Sequence, residues 1–386
     1  VSKSMKIRDG YQKVKLAGET YIMPFGQNAA DRTHSLKLNE TSEFLWDALV
    51  KGADETQLVT LAAKEFEASE EDLPVLRDDI RRFISGLAAN NIIILSDSAE
   101  PYSSLQPSYY QIGPLTFAYY GPEELYHRYF EKFACDPVDH ADQKIYLRIG
   151  MPRCKENGTI LIRTNELQIC DAGSIYRFLF REDWGIYEMT IQKDGGLTIA
   201  YCRPDAFEED HNEQIFHALR FGFLLLAQKH HLYALHSASI LYRGKAWLFS
   251  GPSGTGKSTH TGLWHSLYDV PLLNGDLNVI GIQDGTPMVY GLPWCGTSGI
   301  NTAENNPLGG IVFLRQAPEN RVVIPTAPEK AFQLMQRLIS PIWDASMLEE
   351  QAAFCESVTG MVPVLSLHCT KENEAAETMK LAIDQL

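Results

Sequence analysis

A glycine-rich segment near the middle of the chain constrains the fold more than any other feature. The segment reads Gly251-Pro252-Ser253-Gly254-Thr255-Gly256-Lys257-Ser258-Thr259 and fits the pattern G-x-x-x-x-G-K-[ST]. The apolar run 246–249 predicts a strand before it, and residues 257–268 predict a helix after it. Glycines let successive backbone N–H groups point at an anion, and a helix N-terminus adds partial positive charge. The sequence therefore predicts a loop that holds phosphate groups between a strand and a helix.

The expected ligand of such a loop is a nucleoside triphosphate with Mg²⁺. Lys257 would reach the β- and γ-phosphates, and the Ser258 hydroxyl would be a ligand of Mg²⁺. The predicted nucleotide contacts are Gly251, Ser253, Gly254, Thr255, Gly256, Lys257, Ser258 and Thr259. The chain contains no motif that would distinguish adenine from guanine. ATP is the expected nucleotide, and GTP remains an alternative.

The composition of the 386 residues is that of a globular protein with an acidic balance. A formal net charge of −15 argues against nucleic-acid binding, which needs a basic surface. No apolar run approaches the length of a membrane span, and the first residues lack the apolar core of a signal peptide. The seven cysteines contain no C-x-x-C pair, which favours neither a zinc site nor a disulfide framework. We therefore expect a cytoplasmic protein with no nucleic-acid partner and no membrane partner.

The first part of the chain, residues 5–97, is expected to form a small unit of its own. Short strands come first, and the strand 35–38 precedes an N-cap signal at 39–42. Apolar spacing then predicts three helices, the second over 55–66 and the third over 71–90. This order is winged-helix-like.

The rest of the chain is expected to be a separate α/β domain. Residues 98–109, rich in Ser, Pro and acidic side chains, are expected to form a linker. The domain 110–386 divides into a strand-rich part, 110–205, and a nucleotide-binding core, 212–386. The overall fold class is α/β, or α+β for the whole chain.

Two polar residues near the loop are candidates for catalysis. Asp276 follows an apolar run and is expected to bind Mg²⁺ and to accept a proton from an attacking hydroxyl; a simple turn Asp is the alternative. His236 opens the strand before the loop strand, and an active-site role and a structural role are equally compatible with it. His260, on the helix after the loop, is expected to pack rather than to bind phosphate. Cys295 is not expected to act as a nucleophile, because nothing nearby would lower its pKa.

Taken together, His236, the loop and Asp276 resemble the HPr kinase/phosphorylase family, which is related by fold to phosphoenolpyruvate carboxykinase. The segments 258–264 and 293–302 resemble a branch of HPr-kinase-like proteins found beside peptide-modifying genes. The resemblance implies a phosphotransferase in which Lys257, Asp276 and His236 are catalytic and Ser258 and Asp276 hold Mg²⁺. One departure stands out: the family carries two adjacent Asp, and here Gly275 occupies the first place. That puts HPr as the substrate, and the phosphorylase half-reaction, in doubt.

The first unit resembles the PqqD-like module, which binds leader segments of ribosomally made peptides. The match is carried by the block 35–46, the second helix, and the third helix running into 91–93. The resemblance implies that a peptide adds to the third strand and packs on the third helix. The implied peptide contacts are Ser35, Leu36, Lys37, Leu38, Arg77, Ile80, Arg81 and Ile84.

These observations lead to one hypothesis and two alternatives. The hypothesis is an ATP- and Mg²⁺-dependent kinase that phosphorylates a Ser or Thr hydroxyl of a precursor peptide captured by the first unit. The alternatives are a small-molecule kinase, for instance of free serine, and a nucleotide-dependent peptide adaptor without catalysis. The acceptor residue stays open, as does a homo-oligomer, since the resembling kinases form rings.

Overall fold

The computed structural model describes residues 4–7, 10–26, 29, 35–70, 72–90, 92–96, 106–150, 158–181, 184–203, 206–207 and 209–386. Within this part of the chain, no helix is long and apolar enough to cross a membrane. The predicted linker 98–109 lies mostly outside the described residues. Its last two residues already belong to a strand that begins at Ser108.

The N-terminal unit has short strands followed by three helices, as predicted. Its strands are β1 (Ser4–Ile7), β2 (Tyr11–Leu16), β3 (Glu19–Pro24), β4 (Leu36–Leu38) and β5 (Ile93–Ser96). Its helices are α1 (Glu40–Val50), α2 (Glu55–Glu65) and α3 (Leu73–Ala89). One sheet pairs β1 with β5, and the other has the order β2-β3-β4 with β4 at an edge.

Helix starts in this unit are set by side-chain caps. Asn39 accepts a hydrogen bond from the backbone N–H of Ser42 at 2.9 Å, which confirms the predicted N-cap of α1. Asp54 caps α2 through Gln57 in the same way, at 2.8 Å. Such caps satisfy N–H groups that the helix itself leaves unpaired. The apolar faces of the three helices then share one buried cluster with the strands.

An antiparallel-rich sheet of eight strands follows. Its strands are β6 (Ser108–Ile112), β7 (Leu115–Tyr120), β8 (Gln143–Ile149), β9 (Thr159–Arg163), β10 (Leu167–Ala172), β11 (Ile175–Phe180), β12 (Ile186–Gln192) and β13 (Leu197–Cys202). Their order is β6-β7-β8-β13-β12-β11-β10-β9, and β8 is parallel to both of its neighbours. The predicted hairpin at 194–196 is confirmed, because β12 and β13 pair antiparallel across it.

A second sheet carries the glycine-rich loop. Its strands are β14 (Tyr233–Tyr242), β15 (Lys245–Ser250), β16 (Leu272–Asn274), β17 (Leu277–Gln283), β18 (Thr286–Tyr290), β19 (Asn305–Gln316), β20 (Arg321–Val323) and β21 (Val364–Cys369). The strands β15, β19 and β21 are parallel neighbours, so their carboxyl ends meet at one edge. Ligands bind at such an edge in open α/β sheets.

Helices cover both sheets. They are α4 (Glu123–Phe130), α5 (Glu209–Lys229), α6 (Lys257–Tyr268), α7 (Ala327–Met335), α8 (Ala345–Met361) and α9 (Asn373–Asp384). One buried cluster contains Phe117 and Ile145 of the first sheet, Leu225 of α5, and Leu277 and Val279 of the second sheet. The two sheets therefore share a continuous hydrophobic core.

Candidate functional site

The glycine-rich loop has the backbone that its sequence predicts. It connects β15 to α6, and α6 spans the predicted residues Lys257–Tyr268. Gly254 and Gly256 have positive φ angles of 77° and 97°, a conformation that residues with a side chain rarely adopt. No side chain caps the start of α6. The first-turn N–H groups of this helix are thus not occupied by a capping side chain, which suits an anion.

Lys257 is folded back over the loop. Its Nζ donates to the carbonyl oxygen of Gly251 at 3.3 Å, and the side chain is largely buried. Burial lowers the pKa of Lys257, whereas the negative charge of Asp276 raises it. The ammonium group therefore lies in the electrostatic field of Asp276, as the two predicted catalytic roles require. Ser253, Ser258 and Thr259 are exposed around it.

Strand register brings His236 and Asp276 to the same place. The strand β14 lies between β15 and β17: residues 237–242 pair with β15, and residues 233–236 pair with β17, with His236 opposite Leu277. Ser250, the last residue of β15 before the loop, donates its hydroxyl to the carbonyl oxygen of His236 at 2.7 Å. His236 Nε2 lies 3.1 Å from Asp276 Oδ1. This hydrogen bond is the main reason that the pKa of Asp276 is below its ordinary value, and Lys257 and Arg220 lower it further against the effect of burial.

The turn that carries Asp276 is held by a buried amide. Asn274 Oδ1 accepts from the backbone N–H groups of Asp276 and Leu277, at 3.0 and 3.1 Å. Its Nδ2 donates to the carbonyl oxygen of Leu292 at 3.1 Å. Asp276 in turn accepts from the Ser237 N–H through its own carbonyl, at 2.9 Å. Both ends of the turn are therefore fixed, which orients the carboxylate.

The side chain of Ser298 occupies the space beside Gly275. A Cβ atom at Gly275 would overlap the side chain of Ser298, so no side chain fits there. Ser298 is held in position because its hydroxyl donates to the carbonyl oxygen of Cys295 at 2.7 Å. On the other side, a Cβ at Gly296 would come within 2.9 Å of Asp276 Cβ. The loop 293–299 therefore packs directly on the Gly275–Asp276 pair.

Three basic residues at the site were not predicted from the sequence. Arg220 of α5 is half-buried, its Nε has no hydrogen-bond partner in the described part of the chain, and its charge acts on Asp276. His217 lies one turn before it, and burial together with the Arg220 charge lowers the pKa of His217. The charge of Arg337 acts on Lys257, and its carbonyl oxygen accepts from the His236 N–H at 3.1 Å. No spacing rule connects these residues to the loop, because α5 and α7 reach it only through the tertiary fold.

The remaining candidates near the loop are structural. His260 is buried, and Trp264 Nε1 donates to its Nε2 at 3.1 Å. Burial lowers the pKa of His260 to about 4, so the ring is neutral and packs as predicted. Burial also raises the pKa of the Cys295 thiol, which disfavours a nucleophilic thiolate.

The peptide surface implied for the first unit is only partly exposed. Ser35, just before β4, and Lys37 on β4 are exposed, Leu36 is half-buried and Leu38 is buried. On α3, Arg77 and Arg81 are exposed, and Arg81 Nε donates to Glu55 Oε1 at 2.9 Å.

Ile80 and Ile84 require a correction to the predicted peptide contacts. The structure buries both in the core of the unit, where they pack with the other apolar residues of the three helices. A side chain enclosed in this way offers no surface to a ligand. Of the implied contacts on α3, only Arg77 and Arg81 are therefore exposed, and Arg81 is paired with Glu55.

The donor set at the loop fits Mg²⁺ bound together with phosphates. Mg²⁺ is usually held by one or two carboxylates, phosphate oxygens and water. Here the exposed Ser258 hydroxyl and the Asp276 carboxylate are oxygen donors of that type. Among the described residues, no group of three or more His, Cys, Asp or Glu could hold an ion by itself.

Comparison with known proteins identifies one part of the chain. The fold is mixed α/β, and residues 28–93 match the family model described as coenzyme PQQ synthesis protein D (PqqD). These residues therefore belong to a PqqD-like domain. No curated protein matches the chain. A structure of the HPr(Ser) kinase/phosphatase from Coxiella burnetii is similar at 9% identity, covering 39% of this chain and 93% of that chain with a TM-score of 0.22.

Proposed function

We propose that the protein is a nucleotide-dependent kinase that phosphorylates a Ser or Thr hydroxyl of a peptide held by its PqqD-like domain. The observation that carries this proposal is the convergence of Lys257 and Asp276 on the glycine-rich loop, with His236 bound to Asp276 at 3.1 Å. A phosphate-binding loop alone would support only nucleotide binding. A lysine and an ionised carboxylate beside it add the two charges that phosphoryl transfer uses.

The proposed reaction is an in-line transfer from ATP. The acceptor oxygen forms a bond to the γ-phosphorus, the bond from that phosphorus to the β,γ-bridging oxygen breaks, and ADP leaves with the bridging oxygen. Asp276 takes the hydroxyl proton, since its lowered pKa keeps it ionised at neutral pH, and His236 fixes the orientation of the carboxylate. Lys257 and Arg220 stabilise the charge that develops on the phosphoryl oxygens. Bound Mg²⁺, held by Ser258 and Asp276, would neutralise further phosphate charge.

The peptide partner is proposed from the first domain. The edge strand β4 has one side unpaired within the described residues, and an extended peptide can add to such an edge through main-chain hydrogen bonds. On the neighbouring helix, the exposed Arg77 forms no ion pair with another described residue and could meet an acidic residue of a leader segment, whereas Arg81 is paired with Glu55. A tethered leader raises the local concentration of the acceptor, so weak contacts at the reaction site would suffice.

The test is intact-mass spectrometry of a library of leader-bearing peptides incubated with the full chain, ATP and Mg²⁺. The expected result is a gain of one phosphoryl mass. Lys257→Ala should lower the rate about 10³-fold and Arg220→Gln about tenfold, because each removes charge that stabilises the transition state. The control Lys245→Ala changes an exposed lysine on the strand before the loop and should leave the rate unchanged. Transfer by Lys257→Ala at the parent rate would reject the mechanism.

A second candidate function follows from Gly275. Because Ser298 fills the place of the first family carboxylate, a single Asp must both bind metal and accept the proton. A nucleotide-dependent adaptor, which binds ATP and peptide without transfer, needs only one of these roles. Binding of both ligands with no mass gain in any peptide, and none in free serine, would favour the adaptor.

A further inference from the structure

A cleft beside the glycine-rich loop shares Gly254, Thr255, Gly256 and Thr259 with the predicted nucleotide contacts and extends beyond them. Its volume is about 570 Å³, and it lies where β19 and β21 end. Three sides are formed by the loop at 254–256, by Thr259 and Leu263 of α6, and by the turn 369–372 that leads into α9. The phosphate-binding backbone is thus one wall of a larger cavity.

A second, smaller cavity lies against another part of the loop. It has a volume of about 250 Å³ and is lined by Gly251 and Pro252 together with Arg315 and Arg337. Clefts that bury small organic ligands have volumes of about 300–1,000 Å³. The larger cleft has the size for a nucleoside, and the smaller one, with two guanidinium groups, does not.

The walls of the larger cleft combine apolar and polar groups. Leu263 and Ala317 provide apolar surface, and the buried ring of His260 lies beside them. Thr370, Lys371 and Glu372 provide hydrogen-bonding groups from the opposite turn. The flat face of a base needs apolar surface, and the ribose hydroxyls and the base edges need hydrogen-bonding groups.

The cleft is also preformed. Gln316 Nε2 donates to the carbonyl oxygen of Gly254 at 3.0 Å, which ties the end of β19 to the loop. Asn320 Oδ1 accepts from the backbone N–H of Thr370 at 2.8 Å, which ties the turn after β21 to the turn after β19. A site that is already held in shape needs less ordering when a ligand binds.

We propose that this cleft binds the base and ribose of the nucleoside triphosphate. The inference rests on the proposed function, because it needs the triphosphate on the loop. The phosphate chain then crosses the loop from the cleft toward Lys257 and Asp276, which places the γ-phosphate at the catalytic end. The base lies against Leu263, and the turn 370–372 contacts the ribose and the edge of the base.

The test compares ATP with inorganic tripolyphosphate, which has the phosphate chain but no nucleoside. Binding of each to the full chain with Mg²⁺ is measured by calorimetry. The parent should bind ATP at least about tenfold more tightly than tripolyphosphate, the difference being the nucleoside contacts. Leu263→Trp, which fills the cleft, should weaken ATP binding about tenfold and change tripolyphosphate binding less than about twofold. Leu267→Trp adds the same side chain at a more exposed position one turn along α6, outside the cleft lining, and should change neither.

Each negative result would reject a different part of the proposal. Equal affinity of the parent for ATP and tripolyphosphate, or an unchanged ATP affinity in Leu263→Trp, would overturn the nucleoside site and leave the loop as a phosphate site. Binding of neither compound would overturn the proposed function as well. Photolabelling of the parent with 8-azido-ATP gives a second test that does not depend on whether a variant folds. Label in 316–317 or 369–372 would support the nucleoside site. Label confined to other peptides would reject it.

Discussion

The PqqD-like domain and the loop region build their candidate sites in opposite ways. In the first domain, the basic side chains Arg77 and Arg81 lie on the surface, while the apolar residues expected beside them are inside the core. In the loop region, the groups that position Asp276 are themselves buried, with Asn274 only 1% exposed. The first site is thus an adaptable surface, and the second is a preorganised one. A surface of this kind tolerates single changes, whereas a preorganised turn does not.

The largest effect is expected at the carboxylate itself. Asp276→Asn removes the proton acceptor and the negative charge beside Lys257, so phosphoryl transfer should fall about 10³-fold. Peptide binding, measured by fluorescence anisotropy, should not change. Asp269→Asn makes the same substitution at the exposed end of α6 and serves as the control. A transfer rate within tenfold of the parent would mean that Asp276 is not the acceptor.

The next effect concerns the turn that holds the carboxylate. Asn274→Ala leaves the N–H groups of Asp276 and Leu277 without their acceptor, so the free energy of unfolding should fall by about 2–3 kcal/mol. Transfer should fall at the same time, since the carboxylate loses its orientation. Urea unfolding gives the first quantity, and Asn305→Ala, at an exposed position of β19, is the control. Loss of stability without loss of activity would show that the turn is not positioning Asp276.

A smaller effect, on the pH dependence of stability, is expected from the buried His260 in the loop region. The pKa of His260 is lowered from 6.5 to about 4 by burial, so the unfolded chain takes up a proton that the folded chain excludes. The stability contributed by neutral His260 is therefore complete above about pH 6.5 and is lost as the pH falls toward about 4. Between pH 7.5 and pH 5, the parent should lose about 2 kcal/mol more unfolding free energy than His260→Gln. His230→Gln, at an exposed position, should follow the parent; parallel curves for parent and His260→Gln would contradict the burial effect.

The smallest effect is expected on the peptide surface. Arg77→Glu reverses one exposed charge, so the dissociation constant of an acidic leader peptide should rise about threefold to fivefold, and more at low salt. ATP binding should stay the same. Lys64→Glu makes the same change in net charge on another helix of the domain and is the control. An equal loss in both variants would indicate a general charge effect rather than a basic binding face.

The sequence predicted backbone features better than the neighbours of the site. The loop pattern placed α6 at its observed residues, and the Asn39 cap was visible because both depend on local chemistry. Asp276 and His236 were chosen as candidates because Asp276 follows an apolar run and His236 opens one. Arg220 could not be found, since only the packing of α5 against β14 brings it toward Asp276. Ile80 and Ile84 were misplaced for a related reason: helical spacing identifies an apolar face, but it does not say whether a ligand or the core covers it.

The close packing of Ser298 against Gly275 also limits how this site can change by mutation. A mutation that introduces Asp at 275 alone would collide with the Ser298 side chain, and a mutation that shortens residue 298 alone would bring no carboxylate. Neither mutation alone gives a site with two usable carboxylates. Selection would therefore not favour either single mutant as an intermediate. A second carboxylate at position 275 would therefore need coordinated changes in two separate segments of the chain.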